Sequence, residues 1–160
     1  MFIVNENTSK FYTMDIEIIT KNLKLHVFGF GGIAGNKDYS GTAFKLSGKM
    51  WEVVKANDIK NKGKNIWIYE TDDKVFAGVE LENHTTSNNN YGLEEKIINI
   101  EKYAYFKHIG PYNHIKQTGQ NMTSELTKRE LEIILPYIEI YGHWTNDETK
   151  LETELIMCLK

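Results

Sequence analysis

Glu139 is the residue whose sequence surroundings point most directly to chemistry. It lies within residues 135–142, where apolar and polar side chains alternate as they do in a β-strand. Side chains at positions i and i+2 of a strand share a face, so Glu139 shares its face with Tyr137 and Tyr141, and isoleucines occupy the other face. A carboxylate between two tyrosines is either part of an ordinary solvated strand face or the floor of a pocket for a cation.

Other residue types that perform chemistry show no matching pattern. The histidines lack His-Glu-x-x-His spacing and no pair of cysteines exists, so we expect no metal centre and no cofactor. No Gly-x-Ser-x-Gly sequence marks a hydrolase nucleophile. Gly29, Gly31, Gly32 and Gly35 form a cluster, but a phosphate-binding loop opens onto a helix, whereas residues 36–41 predict a polar loop. We interpret these glycines as bulge or close-approach positions at a strand end.

The composition is that of an ordinary globular protein. With 160 residues, of which 41% are hydrophobic and 26% charged, we expect one domain over residues 1–160. A net charge of −3 without a basic run argues against direct nucleic-acid binding. The single cysteine, Cys158, excludes an internal disulfide framework. The amino terminus does not resemble a signal peptide, and no apolar run reaches the roughly 18 residues that span a bilayer, so we expect a cytoplasmic protein without membrane association.

The elements that must position Glu139 follow from changes in hydrophobic period along the chain. Period-two alternation predicts strands, and apolar residues at helical spacing predict two helices. A polar, asparagine-rich connector is expected between the halves. The predicted strands are 14–19, 23–30, 65–69, 75–81, 96–100, 103–109, 137–141 and 151–159, the helices are 42–57 and 115–129, and the connector is 82–92.

The two halves, about 14–81 and 93–160, repeat one order of elements: strand, helix, strand, strand. Aligning them places Trp67 opposite Glu139 and Tyr69 opposite Tyr141. The repeat predicts an α+β fold of duplicated β-α-β-β halves with pseudo-twofold symmetry. In it, antiparallel sheets carry the helices on one side, and a groove lies where the halves meet.

Three stretches together resemble the GyrI-like small-molecule-binding domains, which also serve as effector-binding domains of MerR-type and AraC-type transcription regulators. They are the Phe-Lys-His-Ile-Gly-Pro-Tyr run at 106–112, the Ile-Glu-Ile-Tyr strand at 138–141, and the glutamate-rich last strand. The resemblance covers nearly the whole chain from about Met14. One departure is Ala34-Gly35 in the first half, where the family pattern has Gly-Pro, so the first helix is expected to start differently. Too few residues precede Met14 for a helix-turn-helix, so we expect a standalone module.

The resemblance implies a pocket lined by aromatic residues around a buried glutamate, used to recognise bulky lipophilic cations. Glu139 matches the pocket glutamate, which favours the pocket over the solvated strand face. For Trp51 a core anchor is the competing interpretation. The predicted ligand-binding residues are Glu139, Tyr141, Trp67, Tyr69, Trp51, Phe30 and Tyr112.

Three functions follow as hypotheses. The first is a non-catalytic sensor or sequestering module for lipophilic cationic small molecules. The second is a hydrolase of reactive electrophiles, in which Glu139 acts as base or nucleophile. The third is a protein-binding inhibitor of DNA gyrase, which the family's name implies. Whether the chain forms a homodimer or works with a separate regulator protein stays open.

Overall fold

The computed structural model describes residues 14–83 and 90–160. The first thirteen residues, which bear on the signal-peptide prediction, and the centre of the predicted connector, 84–89, lie outside this description. The described chain forms eight strands and two long helices, with a short 3-10 turn before each helix. They are β1 (Glu17–Ile19), β2 (Leu23–Ile33), α1 (Tyr39–Ala56), β3 (Asn65–Tyr69), β4 (Lys74–Val79), β5 (Glu94–Ile100), β6 (Tyr103–Ile109), α2 (Ile115–Lys128), β7 (Ile133–Tyr141) and β8 (Glu152–Leu159). Neither helix is both long and apolar enough to cross a membrane.

All eight strands join one antiparallel sheet in the order β1-β6-β8-β7-β3-β4-β2-β5. Each strand has a counterpart in the other half: β1 and β5, β2 and β6, β3 and β7, and β4 and β8. When counterparts are exchanged, the same order is obtained, read from the opposite edge of the sheet. The order therefore has pseudo-twofold symmetry, and the predicted α+β class with antiparallel pairing is confirmed. The first strand of each half pairs with a strand of the other half: β1 pairs with β6, and β5 pairs with β2.

The symmetry centre of the sheet is the β3–β7 pair. Trp67 lies directly opposite Glu139 in the register of these strands. These are also the two residues that the sequence repeat aligns, so the pseudo-axis passes through this pair. Both halves therefore contribute one strand each to the centre of the molecule.

The sheet is strongly curved. Only two residues link Ile100 at the end of β5 to Tyr103 at the start of β6, a span of at most about 11 Å. In a flat sheet these strands, six places apart, would be separated by roughly 29 Å. The concave face, here called the inner face, buries an apolar core drawn from seven of the eight strands, including Ile68, Ile138 and Ile98. Both helices pack on the opposite face, here called the helix face.

A pair of glycines permits close approach of two strands within this curved sheet. Gly29 of β2 pairs with Gly78 of β4, and a Cβ atom at Gly29 would lie 1.9 Å from the carbonyl oxygen of Ala77. A side chain does not fit there, which supports the interpretation of Gly29 as a close-approach position.

The start of α1 differs from the prediction. Residues 36–41 were expected to be a polar loop, but α1 begins at Tyr39, and the Asp38 carboxylate accepts a hydrogen bond of 3.1 Å from the amide of Gly41. Asp38 and Ser40 belong to the residue types that favour helix N-caps and first turns, and their polarity masked the helix start. β7 is also longer than predicted, because it continues amino-terminally through a register shift between Ile134 and Tyr137.

Candidate functional site

The candidate site lies on the helix face along the β3–β7 pair. α1 packs over β2, β3 and β4, and α2 packs near β6 and β7, so the central strand pair lies between the two helices. Alternation along these two strands directs one set of side chains to this face. We call this set the seam cluster: Trp67, Tyr69, Tyr137, Glu139 and Tyr141.

Glu139 is buried although it is a carboxylic acid, with 7% of its surface exposed. The Tyr141 hydroxyl donates a hydrogen bond of 2.5 Å to Glu139 Oε2. Burial raises the pKa of Glu139 above its usual range, because desolvation disfavours the charged form, while hydrogen bonds from Tyr141 and Tyr69 act in the opposite direction. The carboxyl of Glu139 therefore does not lie on a solvated strand face, which was the alternative considered from the sequence.

Two tyrosines of the seam cluster, Tyr141 and Tyr69, donate hydrogen bonds to Glu139. Burial, followed by the charge of Glu139, raises the pKa values of Tyr69, Tyr137 and Tyr141. All three hydroxyls therefore stay protonated at neutral pH. Protonated hydroxyls that donate to a buried carboxyl stabilise its ionised form without adding a compensating positive charge.

The aromatic rings of the candidate site form two groups. In one, Tyr141 lies 4.7 Å from Trp67 and is met edge-on by Tyr112 at 5.4 Å. In the other, Tyr69 stacks on Tyr137 at 5.6 Å and is met edge-on by Tyr39 at 6.3 Å. Tyr69 and Tyr141 are counterparts in the repeat, and each is capped by a second tyrosine. Tyr39 is the first residue of α1, and Tyr112 opens the 3-10 turn that leads into α2.

Five of the seven residues predicted from the sequence come together in this arrangement: Glu139, Tyr141, Trp67, Tyr69 and Tyr112. The structure places Phe30 and Trp51 elsewhere, in the apolar cluster between α1 and the outer strands, with the ammonium group of Lys49 4.0 Å from the centre of the Phe30 ring. For Trp51 this is the core-anchor position considered as the alternative.

Two members of the arrangement were absent from the predicted set. Tyr137 was recognisable from alternation alone, since it shares the strand face of Glu139. Tyr39 had no such signal, because it lies in the stretch predicted to be a loop and reaches the site only through the early start of α1.

Glu139 and Tyr69 are buried in the seam cluster, whereas Trp67, Tyr137 and Tyr141 are half-buried. Two cavities, of about 300 and 220 Å³, include inner-face side chains such as Phe76 and Ile140, and neither is lined by Glu139. The indole N–H of Trp67 is buried and has no hydrogen-bond acceptor among the described residues. No group of three metal-ligating side chains occurs within residues 14–83 and 90–160.

Comparison with known proteins gives a family and several structural relatives. Residues 14–160 match the family described as GyrI-like small molecule binding domain. No curated protein matches the sequence at a significant level.

Three solved structures illustrate the likeness in fold. The C-terminal domain of EcmrR has a TM-score of 0.68 and 15% identity, covering 92% of this chain and 99% of that one. SAV2435 bound to tetraphenylphosphonium has a TM-score of 0.63 and 17% identity, covering 92% and 94%. A hydrolase from Listeria innocua has a TM-score of 0.52 and 12% identity, covering 96% of each chain. At these identities the likeness establishes the fold, and the chemistry has to be argued from the residues.

Proposed function

The chain belongs to the family of GyrI-like small-molecule-binding domains, and from this premise we propose that it binds bulky lipophilic cations at the seam cluster. It would act as a sensor or a sequestering module. Glu139 supplies the negative charge, and the rings of Trp67, Tyr69, Tyr112 and Tyr141 supply the apolar walls.

The observation that carries this proposal is a buried carboxyl enclosed by aromatic rings. A cation beside Glu139 is attracted more strongly than it would be in water, because the surroundings screen the charge less. Each well-placed ring adds about 0.5–2 kcal/mol of cation–π attraction. A large organic cation sheds little hydration on entry, whereas an inorganic ion would lose a tightly held shell. The structural relative SAV2435, bound to tetraphenylphosphonium, carries such an ion.

A guest can contact the buried carboxyl of Glu139 only if a neighbouring ring moves. Tyr112 is the ring placed to do so: 40% of its surface is exposed, and it contacts Tyr141 only through an edge. Its displacement would open a path to Glu139 between α1 and α2. We therefore assign Tyr112 as the residue at the entrance.

Tryptophan fluorescence tests the proposal directly. The chain has three tryptophans, and Trp67 lies in the seam cluster. A lipophilic dye cation should quench the wild type, and the Trp67→Phe variant should lose most of this response. Glu139→Gln should bind the dye roughly 10- to 100-fold more weakly, equivalent to about 1.4–2.8 kcal/mol. Equal affinities in the wild type and Glu139→Gln would refute the proposal.

Hydrolysis of a reactive electrophile is the second candidate function. A buried carboxyl with a raised pKa suits a general base, and the unpaired indole N–H of Trp67, directly across from Glu139, is a donor that a substrate oxygen would satisfy. Turnover of electrophilic substrates that disappears in Glu139→Gln but persists in Trp51→Phe would support it. The absence of turnover across a panel of epoxides, activated cyclopropanes and esters would exclude these substrate classes.

A further inference from the structure

The two ends of the seam cluster differ in one respect that the symmetry of the sheet makes visible. At one end the Tyr39 hydroxyl donates a hydrogen bond of 2.5 Å to Asp73 Oδ1. At the other end the Tyr112 hydroxyl has no hydrogen bond within the described part of the chain, and its ring is more exposed. The two tyrosines cap counterpart rings, yet only Tyr39 is tethered.

The cause of this difference is a single position in the repeat. Asp73 precedes β4, and its carbonyl accepts a hydrogen bond of 2.8 Å from the amide of Ala34. Leu151 precedes β8, and its carbonyl accepts the equivalent bond of 2.8 Å from the amide of Gly110. The backbone geometry is thus repeated, but the second half carries a buried leucine where the first half carries a carboxylate. The hydroxyl of Tyr112 therefore finds no hydrogen-bond acceptor on the side chain of Leu151.

We infer that Tyr39 and Asp73 form a latch that shuts one end of the site, and that opening it exposes a second anionic point suited to an elongated dication. This inference rests on the proposed binding of cations at Glu139. With the latch closed, a guest enters past Tyr112, and the Asp73 carboxylate is occupied by the Tyr39 hydroxyl. With the latch open, the Asp73 carboxylate is free to contact a guest. Successive contacts through the rings of Tyr39 and Tyr69 connect it to Glu139.

The charges near the latch agree with a cationic guest. Asp72, on the same turn, is exposed, and Asp38 caps the first turn of α1 beside Tyr39. Two cations are adjacent on the chain: Lys37 precedes Asp38, and Lys74 follows Asp73 and lines the inner-face cavity with Phe76. A second positive charge on the guest would therefore meet carboxylates at this end.

Three phosphonium ions separate length from charge in a binding experiment. Tetraphenylphosphonium is compact, decyltriphenylphosphonium is long with one charge, and a decane-linked bis(triphenylphosphonium) is long with two. Calorimetry on the wild type and Tyr39→Phe, which keeps the ring and removes the hydroxyl, should show a gain of about fivefold to tenfold for the dication only. The two monocations should stay within about twofold of the wild type.

The double variant Tyr39→Phe with Asp73→Asn decides whether the carboxylate is the second contact. It should lose the gain for the dication and bind tetraphenylphosphonium as tightly as Tyr39→Phe alone does. Tyr112→Phe is the matched control at the other end and should not discriminate among the three ions. Equal effects of Tyr39→Phe on all three ions, no effect on any, or a gain that survives Asp73→Asn would each overturn the latch while leaving cation binding intact. Failure of tetraphenylphosphonium to bind the wild type would instead remove the proposed function, and the latch with it.

Discussion

At the scale of single residues, Glu139 is costly to the empty protein. Its carboxyl is buried, and only neutral hydroxyl donors surround it, so the ionised form is poorly compensated. A cationic guest would supply the missing positive charge. The same feature that weakens the empty protein would therefore strengthen binding.

Replacing Glu139 with glutamine should stabilise the empty protein at neutral pH. Because burial raises the pKa of Glu139 in the folded state, the native protein holds this proton to higher pH than the unfolded chain does. Its contribution to stability is fully present below the unfolded pKa and is lost as pH rises through the folded pKa. The advantage of Glu139→Gln over the wild type should thus grow as pH rises from about 4, the unfolded value for glutamate, towards 8. Urea unfolding across this range measures it.

Glu52→Gln provides the matched control for this experiment. Glu52 is an exposed glutamate on α1, so its replacement should change the free energy of unfolding by less than about 0.5 kcal/mol at every pH. A wild type that becomes more stable than Glu139→Gln as pH rises would contradict the burial argument.

Tyr141→Phe should shift the pH dependence of cation binding. The Tyr141 hydroxyl lowers the pKa of Glu139 through its hydrogen bond, so removing it raises that pKa further. A cation binds the ionised form, and its affinity should rise as pH passes through the pKa of Glu139. In Tyr141→Phe this rise should occur at higher pH, with an affinity at neutral pH reduced by roughly threefold to tenfold. A calorimetric pH profile tests this, and an unshifted midpoint would show that Tyr141 contributes only as a ring.

At the scale of elements, the outer strands β2 and β4 depend on glycine. Gly29→Ala should destabilise the fold by about 1–3 kcal/mol, because the new Cβ would overlap the backbone of β4. Gly48→Ala is the matched control: Gly48 is exposed in the interior of α1, a Cβ there meets nothing within 4 Å, and alanine is the better helix former. It should stabilise the protein by about 0.5–1 kcal/mol. Thermal unfolding of both variants compares them, and a tolerated Gly29→Ala would mean that β2 and β4 can separate at little cost.

The hydrophobic period along the sequence was sufficient to predict the strands and helices, but it did not predict where they begin and end. Alternation located the strands, and helical spacing located both helices. The start of α1 was missed because capping residues have the polarity of a loop. Tyr39 was missed with it, so one cap of the site was absent from the prediction. Phe30 and Trp51 entered the predicted set because aromatic type alone does not distinguish a pocket wall from a core contact.

At the scale of the whole molecule, the sequence repeat carried the essential information about the centre. It aligned Trp67 with Glu139, and the structure pairs these residues across the β3–β7 strands. The exchange of β1 and β5 between halves was not predictable, because partners far apart in sequence leave no local signal. Nor were the contacts between the rings of the site, which depend on how neighbouring side chains pack.

The most direct test of cation recognition by Glu139 compares two ions of one shape and opposite charge. Isothermal titration calorimetry with tetraphenylphosphonium and tetraphenylborate keeps size and apolar surface nearly constant. The wild type should bind the phosphonium at least roughly 100-fold more tightly than the borate, and Glu139→Gln should lose most of that difference. Equal binding of both ions by the wild type, or a preference for the phosphonium that Glu139→Gln leaves unchanged, would contradict the account.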